Sequence, residues 1–241
     1  FYNGSLPMSE LWPGGPQYEG GDAFPITTDS VLLADFVRLR PGARVLELGC
    51  GAGLISLLLL EREPGLNLQC VELDGPAALA ARANLAANGH EVTVTCGDRR
   101  DSRNLPEANF CDIAVCNPPY FPGGSGKTAS EPRRAAARSE GECTLADIVS
   151  AAARSLRQGG RLCLVHRASR LAEVFAELSR QRMEPKRLRL VQHTAKSAPS
   201  LMLCEAARLS RPGLELEPVL MLHGEDGRDS AEARRIYHLG G

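Results

Sequence analysis

Strand-like and helix-like runs alternate along the chain, and that alternation predicts an α/β fold: a mostly parallel, seven-stranded sheet with helices on both faces and an antiparallel C-terminal strand pair. Two further observations place the working edge of that sheet. The run Val45-Leu46-Glu47-Leu48 passes into Gly49-Cys50-Gly51-Ala52-Gly53 and then into the helical stretch Leu54 to Arg62, so a strand meets a helix through a turn whose alternate glycines let the backbone approach a ligand. The apolar run Cys111 to Cys116 ends at Asn117-Pro118-Pro119-Tyr120. Two successive prolines stop a buried strand, because each lacks the N–H that a ladder needs. Both features fall at C-terminal ends of strands, the edge at which open α/β sheets hold ligands.

The elements follow in order. Residues up to about Asp22 are rich in Gly and Pro; with the stretch to residue 28 they form an N-terminal segment expected to wrap the surface or cover the site of a single domain spanning 1–241. Thr28 or Asp29 is expected to cap a helix running to Arg38. Strands are expected near 44–48, 68–72, 91–96, 111–116, 161–166, 186–193 and 201–208, and helices near 53–62, 76–88, 144–157 and 169–181. Pro76 is well placed to open its helix. Only Thr194 to Ser200 separates the last two strands, too little for a crossover helix, which makes them an antiparallel pair. Residues 121–143 are rich in Gly, Ser, Lys and Arg, and a loop of more than about 15 residues in a compact domain is usually functional or disordered. Gly-Ser-Gly-Lys-Thr within it lacks the glycine spacing of a P-loop. No internal repeat is found.

Composition agrees with a soluble enzyme. A chain of 241 residues can bury a sizeable core, 43% of its residues are hydrophobic, and no apolar run reaches the ~18 residues that span a bilayer. No charged segment followed by an apolar stretch reads as a signal peptide. The eight cysteines form no Cys-x-x-Cys pair and mostly lie in strand-like runs, where a free thiol acts as a small buried hydrophobe; a reducing compartment, the cytoplasm, is implied. The five histidines are scattered and no metal site is expected. The net charge of -1 conceals an asymmetry, because residues 133–211 carry sixteen Lys and Arg against seven Asp and Glu. Such a window is compatible with an RNA-facing surface, and equally with arginines such as Arg154, Arg157 and Arg161 covering solvated helix faces.

The chemistry of the tetrapeptide suits holding a planar amino group for alkylation. The Asn117 side-chain oxygen and the Pro118 carbonyl could each accept one N–H and free a nitrogen lone pair, and Tyr120 would stack on a flat substrate, Pro119 completing the catalytic set. The competing reading is an ordinary tight turn. In the glycine loop, Gly49, Cys50, Gly51 and Gly53 depart from the Gly-x-Gly-x-x-Gly of a pyrophosphate site. Glu47 ahead of them would repel a pyrophosphate but suits the ammonium end of S-adenosylmethionine, reached through ordered water. Glu72, 19 residues after Gly53 at the tip of the next strand, is the candidate for ribose hydroxyls, with Leu73 beside it in the cofactor set. Asp74 is the alternative to Glu72, and could instead cap the following helix. Asp98, at the tip of the strand after that, either accepts from an adenine amino group or is a plain loop acid.

Together these stretches resemble the class I S-adenosylmethionine-dependent methyltransferases with their Rossmann-like sheet, and Asn-Pro-Pro-Tyr marks the amino-methylating branch. Phe24-Pro25-Ile26-Thr27-Thr28-Asp29-Ser30-Val31-Leu32-Leu33, Ala137-Arg138-Ser139-Glu140 and Gly160 to Arg167 make the chain similar to bacterial tRNA adenine-N6 methyltransferases that act beside the anticodon of a valine tRNA. The resemblance implies S-adenosylmethionine as cofactor, tRNA as partner, direct in-line methyl transfer to an exocyclic adenine nitrogen, and no metal. Phe121, Lys127, Arg133, Arg134 and Arg138 are the substrate-facing candidates, with a solvated flexible loop as the alternative. Protein-glutamine N5-methyltransferases share the tetrapeptide, and a non-catalytic binding module would share the loop, so both remain as rival readings.

Overall fold

The computed structural model describes residues 9–21, 23–118 and 143–238; Pro119, Tyr120, Phe121, Lys127, Arg133, Arg134 and Arg138 lie outside them. A hairpin of β1 (Ser9–Glu10) and β2 (Gln17–Tyr18) precedes the main sheet. That sheet is built from β3 (Arg44–Leu48), β4 (Asn67–Glu72), β5 (Thr93–Cys96), β6 (Cys111–Cys116), β7 (Leu156–Arg167), β8 (Met183–Gln192) and β9 (Leu201–Arg208). Its spatial order is β5-β4-β3-β6-β7-β9-β8, so the chain reverses direction of travel between β3 and β6. All pairings from β5 to β7 are parallel, whereas β9 is antiparallel to both β7 and β8. Two-residue strands β10 (Glu215–Leu216) and β11 (Leu220–Met221) extend the outer edge along β8. They are too short to show a period-2 pattern, which is why the sequence suggests seven strands.

Parallel strands covered on both faces must be apolar on both. Val45 packs with Leu33 and Leu57 in one core, while its neighbour Leu46 packs with Ile148 and Leu162 in the other. The first core holds α1 (Thr28–Phe36), α2 (Leu54–Arg62) and α3 (Gly75–Ala87); the second holds α4 (Leu145–Ser155) and α5 (Leu171–Arg180). All seven residues from Leu54 to Leu60 are buried, because α2 is wedged between the sheet and its two neighbouring helices. Leu57 and Leu59 are fully buried, and each contributes about 1.5–3 kcal/mol of transfer free energy. A short C-terminal helix, α6 (Ala231–Ile236), adds Ile236 to the first core. Among the described residues no helix is long and apolar enough to cross a membrane.

Several boundaries differ from expectation; three bear on the site or on the sheet. Thr27, rather than Thr28 or Asp29, caps α1: its backbone is extended and its Oγ1 accepts from Ser30 N, leaving Asp29 in the first turn where a negative charge favours the helix dipole. That helix ends at Phe36, short of Arg38. The helix expected to reach 157 stops at Ser155, because Leu156 already pairs with Cys111 as the first residue of β7. The ladder then skips to Ile113 and Arg161 through a bulge, at which Gly159 takes φ 72° and Gly160 leaves no room for a Cβ beside the Arg157 and Cys111 carbonyls.

The opposite, N-terminal edge of the sheet is closed by charge. Buried Asp112, at the start of β6, meets Arg40 and Arg157 at 2.7 Å each and Arg44 at 3.2 Å. Burial is the largest single influence on that carboxyl and would raise its pKa. The hydrogen bonds from Arg157 and Arg44 outweigh it and hold the group well below the usual carboxylate range.

Candidate functional site

At the other edge, the tips of β3, β4, β5 and β6 converge. Gly49 N donates to Val71 O at 2.7 Å and Gly97 N to Glu72 O at 2.8 Å, so the loops leaving three adjacent strands are stitched together at their bases. Gly49, Gly51 and Gly53 have φ of 80°, 55° and 84°, a left-handed region that side chains resist. Space forbids a side chain as well: a Cβ on Gly49 would lie 2.7 Å from the Arg99 guanidinium, and one on Gly51 would lie 3.1 Å from the Phe24 ring. What this loop offers to a ligand is therefore backbone. Cys50 fits that description, since its thiol is buried, with the hydrogen bond to Cys70 and then desolvation pushing its pKa up.

The acids of the expected cofactor set take three different positions. The Glu72 carboxylate accepts from Gly51 N at 2.7 Å and from Asp74 N at 2.9 Å, tying the strand tip to the glycine loop. Asp74 caps α3, with Oδ1 accepting from Ala77 N at 2.8 Å, and Leu73 is half-buried between the two acids. The Asp98 carboxylate is forked onto the Arg100 guanidinium and accepts from Arg100 N at 2.8 Å, which lowers its pKa. Glu47 points inward. It is 1% exposed, accepts a hydrogen bond from Ser56 Oγ, and is pushed up to about 8 by burial against the opposing effect of Ser56, so the neutral form prevails at pH 7. The water-mediated contact to an ammonium group expected of Glu47 would have to be made from this buried position.

Glu47 and Val115 are paired across β3 and β6, and two residues beyond them stand Gly49 and Asn117. The Asn117 amide therefore sits beside the glycine loop at the end of β6. Its Nδ2 donates to Ser30 Oγ at 3.0 Å, and Pro118 behind it is buried. Tyr120 and the basic candidates of 121–142 lie outside the described residues.

Five side chains with roles at this edge are not among the sequence candidates, although Ser30 lies within the family-like stretch Phe24 to Leu33. Asn84, 1% exposed on α3, gives Nδ2 to Ala52 O at 2.8 Å and Glu19 O at 2.9 Å while its Oδ1 accepts from Glu19 N at 2.9 Å. One amide thus fastens the N-terminal segment to the glycine loop, and Asn88 repeats the reciprocal pairing with Gln17. Ser56 holds Glu47. Arg99 lies buried against Gly49, with Nη1 3.5 Å from Leu48 O. Ser30 holds Asn117. Position next to Asp98 was the one available hint for Arg99.

Residues 26–184 match the family model described as methyltransferase small domain. The chain belongs to that family. Among its relatives, a protein of Aeromonas hydrophila named tRNA1(Val) (adenine(37)-N6)-methyltransferase is 36% identical over 144 residues, a match that takes in 59% of this chain and 59% of that protein. One of the same name from Porphyromonas gingivalis is 31% identical over 227 residues, covering 90% of this chain and 88% of the relative. Among solved structures, a predicted O-methyltransferase, protein Atu636 from Agrobacterium tumefaciens, superposes with a TM-score of 0.73 at 21% identity, over 88% of this chain and 96% of that one. Its likeness confirms the Rossmann-like fold. As a methyltransferase small domain, the chain is a methyltransferase whose family match begins at Ile26 and includes the glycine loop, the strand-tip acids and Asn117.

Proposed function

We propose that the protein transfers a methyl group from S-adenosylmethionine to the exocyclic N6 of an adenosine in tRNA. The observation that carries the proposal is the placement of Asn117, whose amide nitrogen is tied to Ser30 and whose oxygen is thereby left as an acceptor beside the glycine loop. The names of the two relatives support N6 of adenosine as the target and tRNA as the partner.

The donor set suits that cofactor. Alternate glycines bring backbone close to a ligand without a phosphate-binding pattern, and Glu72 stands at the strand tip where carboxylates meet ribose. Gly49, Cys50, Gly51 and Gly53 would line it with backbone, while Glu72, Leu73 and Asp98 would hold its adenosine end. When bound, its sulfonium would supply an electrophilic methyl group. Asn117 Oδ1 and the Pro118 carbonyl would each accept one N–H of the adenine amino group, withdrawing its lone pair from the ring and orienting the nitrogen for alkylation. Tyr120 would stack on the base, and the surplus proton would leave the alkylated nitrogen for solvent. Lys127, Arg133, Arg134 and Arg138 would meet phosphates. A tRNA substrate and eight free thiols both fit the cytoplasm.

The test is incubation with methyl-labelled cofactor and either total tRNA or cell protein, followed by mass analysis of nucleosides. N6-methyladenosine is the expected product, and Asn117→Ala should lower turnover by about a hundredfold or more while cofactor affinity by calorimetry stays within about threefold. Label recovered as N5-methylglutamine in protein, or in neither fraction, would overturn the proposal.

A further inference from the structure

We infer that Ser30 is a positioning residue that sets which end of the Asn117 amide faces the substrate. The inference rests on reading the tip of β6 as an amino-group site. An asparagine amide is nearly symmetric in shape and wholly asymmetric in chemistry, with two N–H donors at one end and an acceptor oxygen at the other. Its terminal torsion is broad and roughly two-fold, so the side chain by itself does not choose an end. The choice matters here. An oxygen can accept from a substrate amino group, whereas an NH2 turned the same way would set donor against donor.

The first turn of α1 supplies the choice. Thr27 Oγ1 accepts from Ser30 N at 3.4 Å, which makes it the helix cap, and gives its own proton to Ser30 Oγ at 3.0 Å. Ser30 Oγ keeps one lone pair for a further donor, and Asn117 Nδ2 fills it at 3.0 Å. The capping threonine thus polarises the serine, and the serine anchors the nitrogen end of the amide 87 residues away in the chain. Phe24 of the same segment lies close to Gly51 of the glycine loop. One stretch of chain therefore touches both Asn117 and the glycine loop.

Ser30→Ala removes the anchor and leaves the helix cap in place. With one neutral hydrogen bond no longer selecting the orientation, the rate constant for transfer to tRNA should fall about fivefold, while KM for the cofactor is unchanged. Ser30→Thr retains the hydroxyl at a half-buried helix position and should restore the rate to within about twofold. A merely structural role would instead raise cofactor KM along with lowering kcat, and threonine would rescue neither. The experiment measures kcat and cofactor KM for the wild type and both variants on total tRNA. Ser30→Ala with wild-type kcat, a proportionate rise in cofactor KM, or failure of Ser30→Thr to recover would overturn the inference. Wild-type protein that leaves tRNA unlabelled would overturn the amino-methylation reading beneath it; labelled tRNA with an equally fast Ser30→Ala variant would overturn the Ser30 inference alone.

Discussion

Replacing Glu47 by Gln should abolish a loss of stability that the native side chain imposes as pH rises. In the folded protein the carboxyl titrates at about 8 against an ordinary value of 4.5, burial being the main cause. Below 4.5 it is protonated in both the folded and unfolded chains, and its folded-state preference for the proton is fully expressed as stability. Between those values the unfolded chain releases the proton and the folded one retains it, so stability falls with each pH unit and levels off above 8. At about 1.36 kcal/mol per unit the span from 4.5 to about 8 corresponds to at most about 5 kcal/mol, and to about 3 kcal/mol by pH 6.5. The Glu47→Gln variant would keep the shape and an acceptor for Ser56 Oγ without an ionisable proton. Urea unfolding of both proteins at pH 5, 6.5 and 8.5 isolates the effect, because every other titrating group cancels in the difference between them. The variant should gain about 3–5 kcal/mol relative to the wild type across that range. A difference that stays constant with pH would refute the buried neutral carboxyl. Cofactor affinity should remain within about threefold, and a loss beyond tenfold would show that Glu47 faces the ligand after all.

Two further outcomes follow from single buried side chains. Asp112→Asn should destabilise by about 3 kcal/mol at neutral pH, since it leaves Arg40, Arg44 and Arg157 without their shared anion. Because the native pKa is depressed, that contribution is complete above the ordinary carboxylate range and disappears as pH falls through and below it, so urea midpoints of the two proteins should converge in acid. Asn84→Ala should cost about 2–4 kcal/mol through the lost bonds to Ala52 and Glu19, and should speed hydrogen exchange at the Glu19 amide. Unchanged protection at Glu19 would show that the hairpin is held elsewhere.

The distribution of basic residues shows where composition misleads. The window from 133 to 211 reads as one cationic surface when counted along the chain, but the fold spends much of that charge away from the site. Arg157 neutralises Asp112 and Arg161 pairs with Glu205, while Arg187 bridges Glu205 and Glu217 at 3.5 and 2.9 Å. Arg154 donates to Pro106 O at 3.0 Å. Arg154 and Arg157 close the N-terminal edge of the sheet, opposite Asn117. Counting charge by sequence window assumes that neighbours in the chain share a face, and a parallel sheet violates this at every crossover. Arg154, Arg157, Arg161 and Arg187 thus drop out of the RNA-binding expectation, which stays with Lys127, Arg133, Arg134 and Arg138.

The same geometry explains which parts of the site were legible. Strands and helices declare themselves through local rules: an apolar run of strand length, a glycine loop, a proline pair, a capping residue. Those rules placed Gly49, Gly51, Gly53, Glu72 and Asn117 at strand ends, and parallel pairing then brings every strand end to one edge without further information. What they could not supply is direction. Glu47 lies on the strand and ahead of the glycines, as expected, yet both faces of β3 are covered by core, so on the Val45 face it is 1% exposed. Asn84 and Ser30 act on partners 65 and 87 residues away; the family-like stretch Phe24 to Leu33 contains Ser30, but no local pattern of residue types names its partner. Both are small polar residues in helices, where their own propensity is unfavourable and an exposed cap or turn is the usual role. A polar residue placed on the inward side of a helix, against that preference, marks a point where the fold needs a hydrogen bond from one specific direction. In this protein Asn84 and Ser56 are two such points beside the glycine loop, and half-buried Ser30 is one at the amide next to it.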